Sequence, residues 1–350
     1  MNSTRNLPQM LLGQARDILL ISLLALGAVC CLLLALGISP ADIASTLATG
    51  AVGSWLKFNH VLTVWVPLLL CCCGLLFTFR AGLWNIGIEG QVILGAIGTT
   101  LLLRADSLGL PPSLLIGLAL CAGFISGGLW GGFAGLLKNR GGVNEIFGGL
   151  GLNFVAQGFI LWLILGPWKR EGIASMSGTD LFARELWMYT PPGWRVAPAS
   201  IVIAICAFLV TWYILSRTRF GLRVKAVGAN PAAAPLYSIR PDRTGLAAMI
   251  LGGGIAGIAG GLQVTCVYHR LLPPISSGYG YLALLVVMLA NYKAGPVPII
   301  CLLFAALAAG SIQLPITLQL DSSLSGVIQG ACVVAALLVY GWRKSRKGGA

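Results

Sequence analysis

Phe79–Gln91 reads Phe-Arg-Ala-Gly-Leu-Trp-Asn-Ile-Gly-Ile-Glu-Gly-Gln and lies between two long apolar runs. It carries Arg80, Asn85, Glu89 and Gln91 among the glycines Gly82, Gly87 and Gly90. A charge at the centre of a bilayer costs on the order of 2.5–3.5 kcal/mol on insertion scales. If the flanks are membrane spans, these side chains sit at a membrane surface or line a protected interior.

Composition makes the flanks membrane spans. Of the 350 residues, 57% are hydrophobic and 9% are charged, and the mean hydropathy is +0.89. Soluble domains average roughly 25% charged residues. No soluble fold hides this much apolar surface, so the solvent is lipid. The ten cysteines lie in apolar runs, except Cys266 near a helix end, with no CxxC pair. They read as small apolar packing residues, and no metal site is expected.

A helix crosses a bilayer in about 20 residues. That length gives about ten transmembrane helices in an all-α integral membrane protein: Ile18–Gly37, His60–Thr78, Ile86–Leu103, Ser113–Leu137, Asn144–Leu165, Ala199–Leu215, Thr244–Val267, Tyr279–Ala290, Val297–Ser311 and Leu324–Gly341. The first is too long for a signal peptide, lacks a small-residue cleavage site, and reads as a retained anchor. With the N- and C-termini cytoplasmic, only Lys57, Arg104, Lys169, Arg170, Arg184, Arg195 and Arg270 of the 23 Lys and Arg fall outside. This is the positive-inside bias. The net charge of +13 is thus an orientation signal, and nucleic acid is excluded as a partner.

Two connections are long. The outer one, 166–198, contains Asp180–Tyr189, read equally as a short interfacial helix or a plain loop. The inner one, 216–243, is rich in Arg and Lys. Gly252-Gly253-Gly254-Ile255-Ala256-Gly257 matches GxGxxG literally, but it lies inside an apolar helix. Gly253, Gly257 and Gly261 repeat at four-residue spacing, the small-xxx-small pattern of close helix packing in lipid. Leu324–Gln329 has the look of an ATPase signature but starts a span, and the chain has no GxxxxGK[ST]. His60 and His269 sit at outer span ends, as solvated interfacial residues. No catalytic constellation is visible. The polar side chains left on apolar helices are Asn85, Glu89, Gln91, Asn144, Glu145, Asn153 and Gln157, with Gln263 and Asn291. Such residues are pathway candidates by default, with interhelical hydrogen bonding as the competing use. For Glu89 a structural pair with Arg80 is an equal reading.

Ala81–Gln91 also resembles a known signature, AGLFNIGVEGQ, of ATP-binding-cassette importer permeases of the branched-chain amino acid/ribose/nucleoside family. Gly142–Glu145 through Leu152-Asn153 and Gly166-Pro167-Trp168 is similar to the VNEV…LN…GPW segment of its nucleoside and simple-sugar branch. Val227–Ala233 resembles the GxNPxAA stretch of the coupling loop, and Gly278–Tyr281 the GYGF block. The blocks run in family order from about residue 79 to 295.

The resemblance implies a single transmembrane permease domain over 1–350. Its helical membrane core would be 17–341, its cytoplasmic coupling loop 216–243, and its basic cytoplasmic tail 342–350. It also implies a multi-pass protein of the bacterial inner membrane, pairing with a second permease subunit of the same or a related chain. Further partners would be cytoplasmic ABC ATPase subunits, which use the ATP, and an extracytoplasmic solute-binding protein. This chain would bind no cofactor and would not be an enzyme. The solute would be neutral and polar, a nucleoside or else a simple sugar, carried by alternating access. A gradient-driven secondary transporter or facilitator is the competing class. Gly228, Asn230, Pro231, Ala232 and Ala233 would couple to the ATPase. Asn230 is a good N-cap and Pro231 a good first residue, so a short helix is expected to start there. Pro235 departs from the pattern and would kink or restart that helix. Gly148-Gly149 is a second departure, where relatives carry bulkier residues.

Overall fold

The structure is a computed structural model and describes residues 39–105, 109–170 and 177–318. The spans expected over 18–37 and 324–341, Leu324–Gln329 and the basic tail 342–350 lie outside the described residues. Among the described residues the protein is all-helical, with no strand. The helices are α1 (Pro40–Val52), α2 (Trp55–Arg80), α3 (Ile88–Leu103), α4 (Pro112–Gly141), α5 (Glu145–Leu165), α6 (Pro198–Arg217), α7 (Arg219–Ala229), α8 (Pro241–Leu262), α9 (Tyr279–Leu289), α10 (Val297–Ser311) and α11 (Gln313–Leu318). Each of the eight expected spans that falls in the described residues overlaps a helix. Among the described residues five helices are long and apolar enough to cross a membrane: Trp55–Arg80, Pro112–Gly141, Glu145–Leu165, Pro198–Arg217 and Pro241–Tyr268. α3, α9 and α10 are shorter and apolar.

The chain divides into two compact units. One comprises residues up to Val61 and from Ala306 onward, the other Leu62–Ala305. In the first, α1 packs on the end of α10. A Cβ at Gly50 would lie 2.8 Å from the Gly310 carbonyl oxygen, so the two backbones touch. α1 lies outside the ten expected spans, although Pro40 at its start and Asp42 in its first turn are helix-start signals.

In the second unit α3, α4 and α8 form the centre. Cβ atoms added at Gly95, Gly123, Gly127, Gly253 or Gly257 would overlap the backbone or side chain of a neighbouring helix. The GxGxxG look-alike is thus a packing surface. Beyond Leu262 the helix loosens into a π-helical turn over Gln263–Tyr268 and stops at His269, which has φ 53°. Single π turns of this kind recur at functional sites. His269 stacks on Trp187 at 3.8 Å between ring centroids, which corrects the solvated reading. Of the two readings of 180–189, the structure shows the loop, with only a short 3-10 turn, Arg184–Leu186.

Segments expected on the same side of the membrane meet one another. Arg80 Nε donates to the Tyr292 carbonyl at 2.9 Å, and Asn139 Nδ2 to that of Asp242 at 2.9 Å. Lys138 pairs with Glu145 at 2.8 Å. Of the segments expected outside, Arg170 pairs with Asp180 at 2.9 Å, and the Phe182 amide donates to the His269 carbonyl at 3.0 Å. The Arg104 guanidinium lies over the Trp168 ring at 5.6 Å.

Candidate functional site

The stretch Phe79–Gln91 breaks the helix at a turn and starts another. α2 stops after Arg80, Gly82 takes φ 76°, and the Leu83 amide returns to the Thr78 carbonyl at 3.0 Å. The left-handed φ favours glycine at this turn. Asn85 and Gln91 face each other across the break. Each side-chain amide donates to the other's carbonyl at 3.0 Å, with both residues at or below 1% exposure. An amide buried without a partner costs about 1–3 kcal/mol, so each needs the other. Asn85→Ala and Gln91→Ala are each expected to destabilise the protein by about 2–4 kcal/mol, with the double variant falling short of their sum by about 1–3 kcal/mol. Unfolding of the four proteins in detergent measures this; strict additivity would mean that the pair carries nothing.

Asn153 on α5 braces the same break. Its Oδ1 accepts from the Gly90 amide at 2.8 Å, and its Nδ2 donates to the Ile86 carbonyl at 2.9 Å and to the Tyr281 hydroxyl at 3.3 Å. It therefore satisfies an amide in the first turn of α3 and a carbonyl that precedes the helix.

Glu89 does not pair with Arg80, which corrects that reading. Arg80 turns to Tyr292, while Glu89 Oε1 accepts from the Tyr281 amide at 3.1 Å. The Gly280 amide and the Ser276 hydroxyl also face the carboxyl. The reason is the length of α9. Its 11 residues rise about 16 Å, against a hydrocarbon core of about 30 Å, so it covers about half that depth, and its first amides, which have no helical partner in any helix, need one from another helix. Glu89 accepts from them across the interface, where the helix dipole favours an anion.

The irregular chain before α9 is satisfied in the same way. Gln157 Nε2 donates to the Pro273 carbonyl at 3.1 Å, and the Thr179 hydroxyl accepts from the Leu271 amide at 3.1 Å. Backbone that is not helical survives at membrane depth only where protein groups satisfy it or where it lines a water-filled cavity, and here protein groups satisfy it. Asn144 is the N-cap of α5, its side chain accepting from the Ile146 amide at 2.9 Å. Glu145 holds Lys138. All seven polar candidates are thus engaged within the chain, and five of them converge on the two helix breaks. Sequence reading missed Thr179, which no local pattern marks, and gave no separate role to Tyr281.

The loop 216–243 differs from its expected form. Thr218 caps α7 by accepting from the Gly221 amide at 3.2 Å, and α7 runs to Ala229, ahead of the expected helix. Asn230 Oδ1 does accept from the amides of Ala232 and Ala233, both at 3.0 Å. Past Pro231 the chain forms a turn and then a 3-10 helix, Ala234–Tyr237. Pro235 is the cause: in an α-helix begun at Pro231 it would lack a donor and clash with a carbonyl one turn back. Gly228 lies against the helix break, where an added Cβ would overlap the Arg80 carbonyl and sit 3.1 Å from the Gly82 amide nitrogen. Beyond it, Leu236 and Tyr237 are 84% and 78% exposed.

The family model described as branched-chain amino acid transport system / permease component matches residues 57–337. The chain belongs to this permease family. Among its relatives is the glucose ABC transporter permease protein TsgB13 of Haloferax volcanii, 27% identical over 98% of this chain and 92% of its own length. The guanosine ABC transporter permease protein NupP of Bacillus subtilis is 25% identical over 92% of each chain. The nucleoside ABC transporter permease protein NupB of Lactococcus lactis is 25% identical over 82% of this permease and 80% of its own length. No solved structure matches the chain. The matched region contains both helix breaks, all seven polar candidates and the loop that carries Gly228.

Proposed function

We propose that this permease is the membrane subunit of an ATP-driven importer for a neutral polar solute, a nucleoside or else a simple sugar. The observation that carries the proposal is the seat of Gly228 on the Arg80–Gly82 break. Through it the loop with the exposed Leu236 and Tyr237 touches the break that leads into the polar framework of α3, α5 and α9. A push on the loop by a partner ATPase reaches that framework through the break, and access alternates when the breaks shift. Relatives named for glucose, guanosine and nucleosides support a neutral solute.

The proposal includes ten spans with both termini inside, in a single domain of a bacterial inner membrane. Two permease subunits, of the same or a related chain, enclose the path, and a solute-binding protein delivers the solute. ATP is hydrolysed by the partner subunits, and this chain holds no cofactor. Of the seven polar candidates, Asn144, Glu145 and Gln157 keep some exposed surface and line the path. Asn85, Glu89, Gln91 and Asn153 are buried and set its shape.

Uptake into proteoliposomes tests the proposal. Labelled nucleoside or sugar is expected to accumulate only with the partner ATPase, ATP and the binding protein all present. Accumulation by this chain alone, driven by a proton or sodium gradient, would assign it to the secondary transporters instead.

A further inference from the structure

We infer that the α6–α7 corner is a binding surface for the headgroups of anionic phospholipids. Four cations, Arg217, Arg219, Arg223 and Lys225, fall within nine residues, and no acid occurs between Glu185 and Asp242. All four are exposed. Among the described residues none of them joins an ion pair. Arg219 and Arg223 stand one turn apart on α7, where like charges repel. Among the described residues no ion pair offsets this repulsion, and an external anion does.

The anion is assigned to lipid by what adjoins the cations. α6 is the least buried of the five long apolar helices. Its exposed surface, which includes Val202, Ile205, Leu209 and Val210, ends in Trp212 and Tyr213. An apolar face closed by Trp and Tyr marks the hydrocarbon–headgroup boundary. The cations begin one turn beyond it. α7 is amphipathic and folds back rather than projecting away. Gly221, Val224 and Val227 are buried, Phe220 meets Phe77 at 6.4 Å between ring centroids, and Gly221 lies on the Leu215 backbone. Leu222, exposed on the same helix, supplies an apolar foot between the charges. Basic residues next to a span end, mixed with apolar side chains, bind anionic headgroups at a membrane surface. The inference rests on the membrane placement of α6 and not on the solute or on ATP coupling.

Lipid retention tests it. The full-length protein is washed in detergent containing phosphatidylglycerol or phosphatidylcholine, and the lipid bound per chain is counted by mass spectrometry. The wild-type protein is expected to retain phosphatidylglycerol over phosphatidylcholine and to lose it as NaCl rises. The fourfold variant R217Q, R219Q, R223Q, K225Q is expected to lose at least about tenfold in that retention. R217K, R219K and R223K together are expected to keep it, as is the control R240Q, R243Q. Should the fourfold variant fail to accumulate, R219Q with R223Q carries the test, with an expected loss of at least about threefold. Equal retention by wild type and glutamine variants overturns the inference, as does an equal loss in the control. Unchanged retention together with loss of ATPase subunit binding also overturns it, and assigns the cations to the ATPase.

Discussion

Gly257→Leu is expected to abolish stable folding, with membrane yield falling to a small fraction of wild type and no cooperative melt in detergent. Gly257 sits where α8 crosses α4 and α3. A Cβ there would overlap the Gly123 carbonyl and come within 3.1 Å of the Gly127 Cα, while Gly95 on α3 has no room for a Cβ against Gly257 itself. Overpacking a core costs about 1–3 kcal/mol when side chains can shift out of the way. Here the obstacles are main-chain atoms of two helices, which no rotamer change moves. Leucine adds four carbons at this point, and separating the helices also opens the contacts of Gly253 with Gly127. A loss above about 5 kcal/mol is expected, comparable with the whole stability of a folded domain. Gly158→Ala is the matched control. That glycine lies on the exposed side of α5 with nothing within 4 Å of an added Cβ, so alanine is expected to stabilise by up to about 1 kcal/mol through helix propensity. A melting point for Gly257→Leu within a few degrees of wild type would overturn the packing account.

The glycine spacing in α8 was legible in the sequence because packing between apolar helices repeats with the helix period. The helices over the eight expected spans in the described residues were legible because lipid imposes length and hydropathy on each segment separately. The partners of the polar side chains were not. Asn153 meets Gly90 across 63 residues, and Glu89 meets Tyr281 across 192. Those partners are backbone amides in the first turns of α3 and α9, which no helix satisfies itself, and only the assembled fold shows where those helices start. The Arg80–Glu89 pairing failed for the same reason, since nearness in sequence gave no weight to a carbonyl at Tyr292. In the loop 216–243, Asn230 does accept from the amides of Ala232 and Ala233, but it closes α7 and no α-helix starts behind it. A cap fixes where amides are satisfied, whereas Pro235 decides whether an α-helix can continue.

On the proposed function, variants of Leu236 and Tyr237 set against one of Gly228 separate docking from transmission. L236S with Y237S is expected to release the ATPase subunit from the permease, since burying one large apolar side chain is worth about 1.5–3 kcal/mol. Two such side chains correspond to a loss of about a hundredfold or more in affinity, measured by co-purification and titration. Gly228→Leu leaves both side chains in place but cannot keep its seat, because the added Cβ overlaps the Arg80 carbonyl beside Gly82. The end of α7 must then lift off the helix break. ATPase binding is expected to persist within a few-fold, while hydrolysis stimulated by the loaded binding protein falls at least tenfold and uptake is lost. A Gly228→Leu permease with wild-type stimulated hydrolysis and uptake would show that force does not pass through this contact. Loss of ATPase binding in that variant would instead make Gly228 part of the docking surface. The two variants locate the step at which a movement of the loop becomes a movement of Phe79–Gln91.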